Sequence, residues 1–213
     1  MSLKNFYGLK VGMSQVFDQA TKRVIPVTAI ALKPMVVLQV KTVAKDQVAA
    51  VKLGVLKKGA DSIAKLDLNK MKPSEQREHF AYIKQINVES DAVATSYTVG
   101  QFVTLDQEGF VQGSSISVSG ISKGLGFQGV IRRHGFAGGP MSHGSNFRRA
   151  PGSSGAMRSS GKIIKGKKFP GHMGVDRITV KNLKLVLMDI EKGFIFVKGA
   201  VPGKKNNLIL MKA

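Results

Sequence analysis

From Gly109 through Val175 the chain contains no aspartate or glutamate, and this acid-free run constrains its folding more than any other feature. Within residues 120–175 lie ten cations: Lys123, Arg132, Arg133, Arg148, Arg149, Arg158, Lys162, Lys165, Lys167 and Lys168. The same window holds fourteen of the 24 glycines and three of the four histidines, and fewer than a third of its positions are apolar. Ordering so much glycine costs backbone entropy, and little apolar burial is on hand to offset it. The cations also repel one another with no carboxylate between them. Alone in water such a stretch is expected to be poorly ordered. A polyanion outside the chain would supply the missing counter-charge.

The rest of the chain carries 23 cations against all 13 acids, so about a quarter of the 213-residue sequence supplies half of its net charge of +20. At 43% hydrophobic residues a packed core is feasible. No apolar run approaches the ~18 residues of a membrane-spanning helix. The opening residues, Met1 to Tyr7, lack the long apolar stretch of a secretory signal. Cysteine is absent, which removes disulfides, thiolate metal sites and cysteine nucleophiles together. The expectation is a strongly cationic cytoplasmic protein without a membrane partner.

Outside the basic stretch the pattern is that of strands. Apolar, β-branched runs occur at 10–17, 24–32, 35–40, 49–56, 102–105, 116–121, 178–188, 194–197 and 208–211, punctuated by Pro34, Gly54, Gly109, Gly113, Gly193 and Gly199. Ile116–Ser119 and Ile178–Lys181 alternate with period two, as half-buried strands do. Asp189–Gly193 reads as a hairpin connection. Residues 59–97 are more polar, and Pro73-Ser-Glu-Gln predicts a short helix over 73–81 followed by a strand at 82–88. The fold class expected is mainly β: a discontinuous β-barrel core (1–58, 98–122 and 176–213), a small α+β insert (59–97) and a long basic extension (123–175).

Several motifs suggest chemistry and fail on context. Gly124-Leu-Gly-Phe-Gln-Gly129 has G-x-G-x-x-G spacing, but a dinucleotide site needs a helix from the third glycine and an acid about 20 residues on. Val130–Gly135 follows instead, with no acid before Asp176. Gly120-Ile-Ser-Lys-Gly124 has the spacing of a nucleophile elbow, yet no histidine follows Asp176, so the chain order of a hydrolase is missing. Gly155–Gly161 is not a phosphate loop, because Ile163 follows Lys162 where a hydroxyl is required. His134, His143 and His172 are irregularly spaced with no acid near them, a poor metal set. Contacts to phosphate, ribose or base suit them better, with idle surface histidines as the alternative. No cofactor, small-molecule substrate or catalytic residue is expected.

What the stretch can do is bind nucleic acid. Its arginines offer planar forks and its lysines point charges to phosphate. Phe127, Phe136, Phe147 and Phe169 lie among the cations, where each is either a stacking surface for an unpaired base or a local packing anchor. Run out and back, some fifty residues could reach roughly 70 Å at about 3.3 Å per residue, a span suited to threading a folded RNA. No helix-turn-helix, zinc-finger or heptad pattern supports reading of duplex DNA.

The residues also carry a family resemblance. Gly8-Leu-Lys-Val-Gly-Met-Ser-Gln-Val-Phe17, Val118–Gly129, Ser142-His-Gly144, Arg149-Ala-Pro-Gly-Ser153, Lys165–Gly174 and Val197-Lys-Gly-Ala-Val-Pro-Gly203 follow one another in order. Together they resemble the large-subunit ribosomal protein L-three family, in its shorter bacterial form. The resemblance covers nearly the whole chain and is weakest over 59–97. It implies a translation-protein-type β-barrel and a structural, non-enzymatic role in the large ribosomal subunit. It further implies an extension reaching through rRNA toward the peptidyl transferase region, a part in early subunit assembly, and neighbouring ribosomal proteins as partners. The candidate rRNA-binding residues are Lys123, Arg132, Arg133, His134, His143, Arg148, Arg149, Arg158, Lys162, Lys165, Lys167, Lys168 and His172. Three departures stand out: Arg148 occupies a position where the family has histidine, Ser159-Ser160-Gly161 replaces a proline-glycine turn, and Ala156 replaces a glutamine that some bacterial members methylate. A generic nucleic-acid architectural protein and a ribosome assembly factor are the competing readings.

Overall fold

A computed structural model describes residues 5–19, 22–57, 73–88, 90–103, 110–155 and 161–213. The chain is mainly β and divides into two compact units, Met1–Gly120 with Ile178–Ala213, and Ile121–Arg177. In the first unit six strands follow one another in hydrogen-bonded order: β1 (Asn5–Asp18), β12 (Leu208–Lys212), β7 (Ser115–Ile121), β10 (Arg177–Asp189), β11 (Phe194–Lys198) and β2 (Arg23–Leu32). β2 pairs back onto β1 from Gly8↔Leu32 to Asp18↔Arg23, so the sheet closes on itself.

Alternation in the sequence sets which side chains face inward. Ile116 and Val118 are buried along β7 while the serines between them are not. Phe6, Ile30, Ile195, Val197, Ile209 and Met211 fill the same core. Each such side chain contributes about 1.5–3 kcal/mol on burial. Packing is tight enough that a Cβ on Gly8 would lie 2.5 Å from Ile30 Cγ2. Ile178 departs from the expected alternation, at 44% exposure. Between Ile178 and the buried Leu185, Asn182 adopts φ +58, which interrupts the regular pleat of β10.

A second sheet has the order β5 (Phe80–Asn87), β4 (Ala50–Leu56), β3 (Met35–Lys41) and β6 (Phe102–Val103). Met35 to Leu38 are all buried because both faces of β3 are covered. Met35 and Val37 join the core that holds Phe6 and Ile30, whereas Val36 and Leu38 pack with Phe80. A strand covered on both sides reads as an unbroken apolar run. β4 pairs with β5 from Ala50↔Asn87 to Leu56↔Phe80, so strands from either side of residue 58 share one sheet. Residues 58–72 and 89 of that region, and residues 104 and 105 of the expected strand after Gln101, lie outside the described residues.

Of the helices, α2 (Pro73–His79) occupies the predicted place. The one-turn helices α1 (Val43–Asp46) and α3 (Asp91–Thr95) carry too few residues for a periodic signal. The Asp91 carboxylate accepts the Val43 N–H at 3.0 and 3.2 Å, satisfying a donor that the start of α1 leaves open. In the predicted 189–193 connection, Asp189 Oδ1 accepts the Lys192 N–H at 3.0 Å and Gly193 takes φ +69.

Two motifs from opposite ends of the chain meet at Lys10. Its ammonium donates to the Val201 carbonyl at 2.7 Å and the Gly203 carbonyl at 2.9 Å. Its backbone carbonyl accepts from Asn206 N–H at 2.7 Å, and its N–H donates to Asn207 O at 3.0 Å, beside the register shift between Lys10 and Gly12. Thr28, fully buried, donates from Oγ1 to the Gly199 carbonyl at 2.6 Å. The 199–207 turn is thus held by polar contacts from β1 and β2, which explains why a lysine sits among the glycines of the first motif.

Lys10→Met keeps the apolar stem but strands two carbonyls, and should cost about 2 kcal/mol of stability in urea unfolding. Lys192→Met, which removes an exposed pair with Asp189 at 3.5 Å, should cost less than about 1 kcal/mol. Gly8→Ala should destabilise by about 1–3 kcal/mol through overpacking against Ile30. Gly12→Ala should be close to neutral, because a Cβ there meets nothing within 4 Å.

Candidate nucleic-acid interface

The second unit, Ile121–Arg177, begins and ends in antiparallel contact. Ser122 N–H donates to the Asp176 carbonyl at 2.9 Å, and Asp176 N–H donates to Ser122 Oγ at 3.1 Å. Ser122, whose spacing resembled a nucleophile elbow, is therefore a link that closes the unit. Further along, Leu125 N–H donates to Met173 O at 3.0 Å, and β8 (Gly126–Gln128) pairs with β9 (Gly171–Met173). A Cβ on Gly174 would collide with the Lys123 carbonyl, so the close approach of the two chain segments there requires glycine.

Gly129 leads into a helix of five residues, α4 (Val130–His134), closed by Gly135 in the left-handed conformation. The G-x-G-x-x-G spacing thus does precede a helix, but on an antiparallel ribbon and with no acid to hold a ribose. Val130 is buried. On the same turn Arg133 Nη1 donates to the Phe169 carbonyl at 2.7 Å, and His134 Nε2 lies 3.1 Å from that oxygen. The Arg133 guanidinium also lies against Gly171, whose added Cβ would come within 2.7 Å of Nη1. Beyond the helix the chain doubles back, with Gly139 N–H donating to Arg148 O at 3.0 Å. A Cβ on Gly139 would collide with the Phe147 carbonyl. His143 and Gly144 both take positive φ, +57 and +70, at a turn where Arg148 Nε donates to Ser145 O at 3.3 Å.

These bonds give the acid-free stretch local backbone contacts of its own. Most of them end on backbone carbonyls, which accept from arginine without any carboxylate. Sequence patterning did not reveal them, because the Phe169 carbonyl leaves no trace in residue identity. The core of this unit stays thin, in keeping with its composition.

The predicted site residues separate into two groups. Arg133 and His134 are half-buried and face the Phe169 carbonyl. Lys123, Arg132, His143, Arg148, Arg149, Lys162, Lys165, Lys167, Lys168 and His172 are exposed. Among the described residues of this unit no cation forms an ion pair. Arg158 and Ala156 lie outside the described residues, as do Ser159 and Ser160. Of the four phenylalanines, Phe127 and Phe147 are exposed at 75% and 54%, while Phe136 and Phe169 are half-buried. Among the described residues no three His, Asp or Glu side chains gather into a metal-binding group.

The arrangement presents many positive charges, held on a glycine-rich backbone and largely unneutralised. Such a surface attracts polyanions. The profile of the Ribosomal protein L3 family matches residues 76–193, a span that includes the whole second unit. The chain is 41% identical over 209 residues to a protein of Pelotomaculum thermopropionicum named large ribosomal subunit protein uL3, covering 98% of this chain and 96% of that one. With similarity running along both units and nearly end to end, the chain belongs to the ribosomal protein L3 family.

Proposed function

We propose that this chain is a structural constituent of the large ribosomal subunit that binds large-subunit rRNA directly through the Ile121–Arg177 unit. The observation that carries the reading is the set of exposed cations between Lys123 and Lys168, which have no carboxylate partner anywhere in the acid-free run from Gly109 to Val175. Bound phosphates would neutralise them and release condensed counterions, which is where most of the affinity would originate. Family membership and the name of the relative support rRNA as the polyanion.

In this reading the closed six-stranded sheet is a translation-protein-type β-barrel that docks on the outer rRNA beside neighbouring ribosomal proteins. The second unit reaches inward, toward the peptidyl transferase region, and supports early assembly of the subunit. Lys123, Arg132, Arg148, Arg149, Arg158, Lys162, Lys165, Lys167 and Lys168 contact phosphate, and His143 and His172 contact ribose or base edges. Arg133 and His134 have a dual part, since they brace the Phe169 carbonyl and stand at the edge of the charged surface. No side chain performs catalysis. The ribosome is the place of action, in the cytoplasm; among the described residues no helix is long and apolar enough to cross a membrane.

Two experiments test this. Replacing Lys165, Lys167 and Lys168 together by glutamine should reduce the slope of log affinity for large-subunit rRNA against log salt by about 2–3, with the urea midpoint unchanged. An unchanged slope would mean that this cluster does not meet phosphate. Deleting residues 125–173 should leave a folded first unit with a cooperative thermal transition. The same deletion should remove most of the salt-dependent rRNA affinity and prevent co-sedimentation with large subunits after a high-salt wash. A full-length chain that binds duplex DNA as tightly as rRNA in competition would favour a generic architectural protein, and one absent from washed mature subunits an assembly factor.

A further inference from the structure

We propose that Phe127 and His172, opposed on the β8–β9 ribbon, form a stacking platform for an unpaired RNA base. This rests on the reading of the Ile121–Arg177 unit as an RNA-binding element, and it names what one face of that unit receives. Phe127 pairs directly with His172 in antiparallel register, so both side chains leave the ribbon on the same face. Phe127 is 75% exposed, the most exposed large apolar side chain among the described residues. No described ring covers it; the aromatic contact found among the described residues is His134 with Phe136, at 6.2 Å. A Cβ at Gly129, two residues beyond Phe127, would meet no atom within 4 Å, so the space beside the ring is open.

The opposite face of the ribbon is occupied. Successive side chains on a strand point to opposite faces, so Gly171 looks away from His172, and there the Arg133 guanidinium lies against it. Arg133 also ties down the Phe169 carbonyl two residues before Gly171. The ribbon is therefore braced from behind and bare in front, the condition for a flat ligand to settle without rearrangement.

Charge selects the occupant. Lys123 stands four residues before Phe127, Arg132 five residues after it, and Lys168 four residues before His172, all exposed and without an acid between them. A nucleotide meets both demands, with a π face for the rings and a phosphate for the cations. An acidic peptide would satisfy the cations and leave the phenyl face uncovered. His172 adds a second ring and ring nitrogens able to hydrogen-bond a base edge.

The chain has no tryptophan, so Phe127→Trp places a single indole fluorophore on the platform. A mixed-sequence single-stranded RNA of about twelve nucleotides should quench its emission by stacking, whereas inorganic polyphosphate of similar charge should not. In the full chain, Phe127→Leu should weaken binding of that RNA about tenfold, and Phe127→Tyr should hold it within about twofold, because only the ring is needed. Equal quenching by polyphosphate, or an unchanged affinity for Phe127→Leu, would overturn the platform. If RNA binding with strong salt dependence accompanied that result, the RNA-binding reading would stand without it. No binding of RNA at low salt would remove that reading and the platform together.

Discussion

Unneutralised positive charge is the constraint on which the rest of the structure depends. Residues 109–175 have no carboxylate to offer, so a cation there must turn to other acceptors, such as a backbone carbonyl or an external anion. Arg133 takes the first option at the Phe169 carbonyl, and Arg148 makes a weaker bond to Ser145 O at 3.3 Å. The side chains of the exposed lysines from 162 to 168 make no hydrogen bond or ion pair among the described residues. Placing them beside one another costs Coulomb energy, which the proposed rRNA phosphates would offset. The glycines serve the same end, allowing the backbone close approaches, as at Gly139 and Gly174, that side chains would block.

The first unit rests on a different balance, with apolar side chains buried between paired strands. A closed sheet has no free edges, so its backbone groups are paired within the unit and do not invite aggregation. Lys10 and Thr28 spend polar groups inside this unit to fix the turn between β11 and β12. A lysine used in this way contributes to stability through desolvated hydrogen bonds, whereas an exposed one such as Lys162 keeps its charge in solvent.

Much of the fold was legible in the sequence because strands buried on one face alternate and strands buried on both faces run apolar without a break. Ile116 and Val118 show the first pattern and Met35 to Leu38 the second. The grouping of strands into sheets was not legible. The pairing of β4 with β5 joins segments well separated along the chain, and neither strand's composition names its neighbour. The elements of the second unit were missed for a related reason: β8, β9 and α4 are three to five residues long and rest on backbone hydrogen bonds and glycine contacts rather than on a periodic apolar face. The charged residues of the candidate site were legible by type, and Arg133 was counted with them. Its half-buried bracing position depends on a carbonyl 36 residues away.

The most direct measurement of the central claim is lysine acylation read by mass spectrometry, on the free chain and on salt-washed large subunits. Lys162, Lys165, Lys167 and Lys168 should react readily in the free chain, where their ammonium groups have no partner among the described residues, and become protected in the subunit, where the account has phosphate cover them. Lysines already protected in the free chain, or equally reactive in both, would contradict the account.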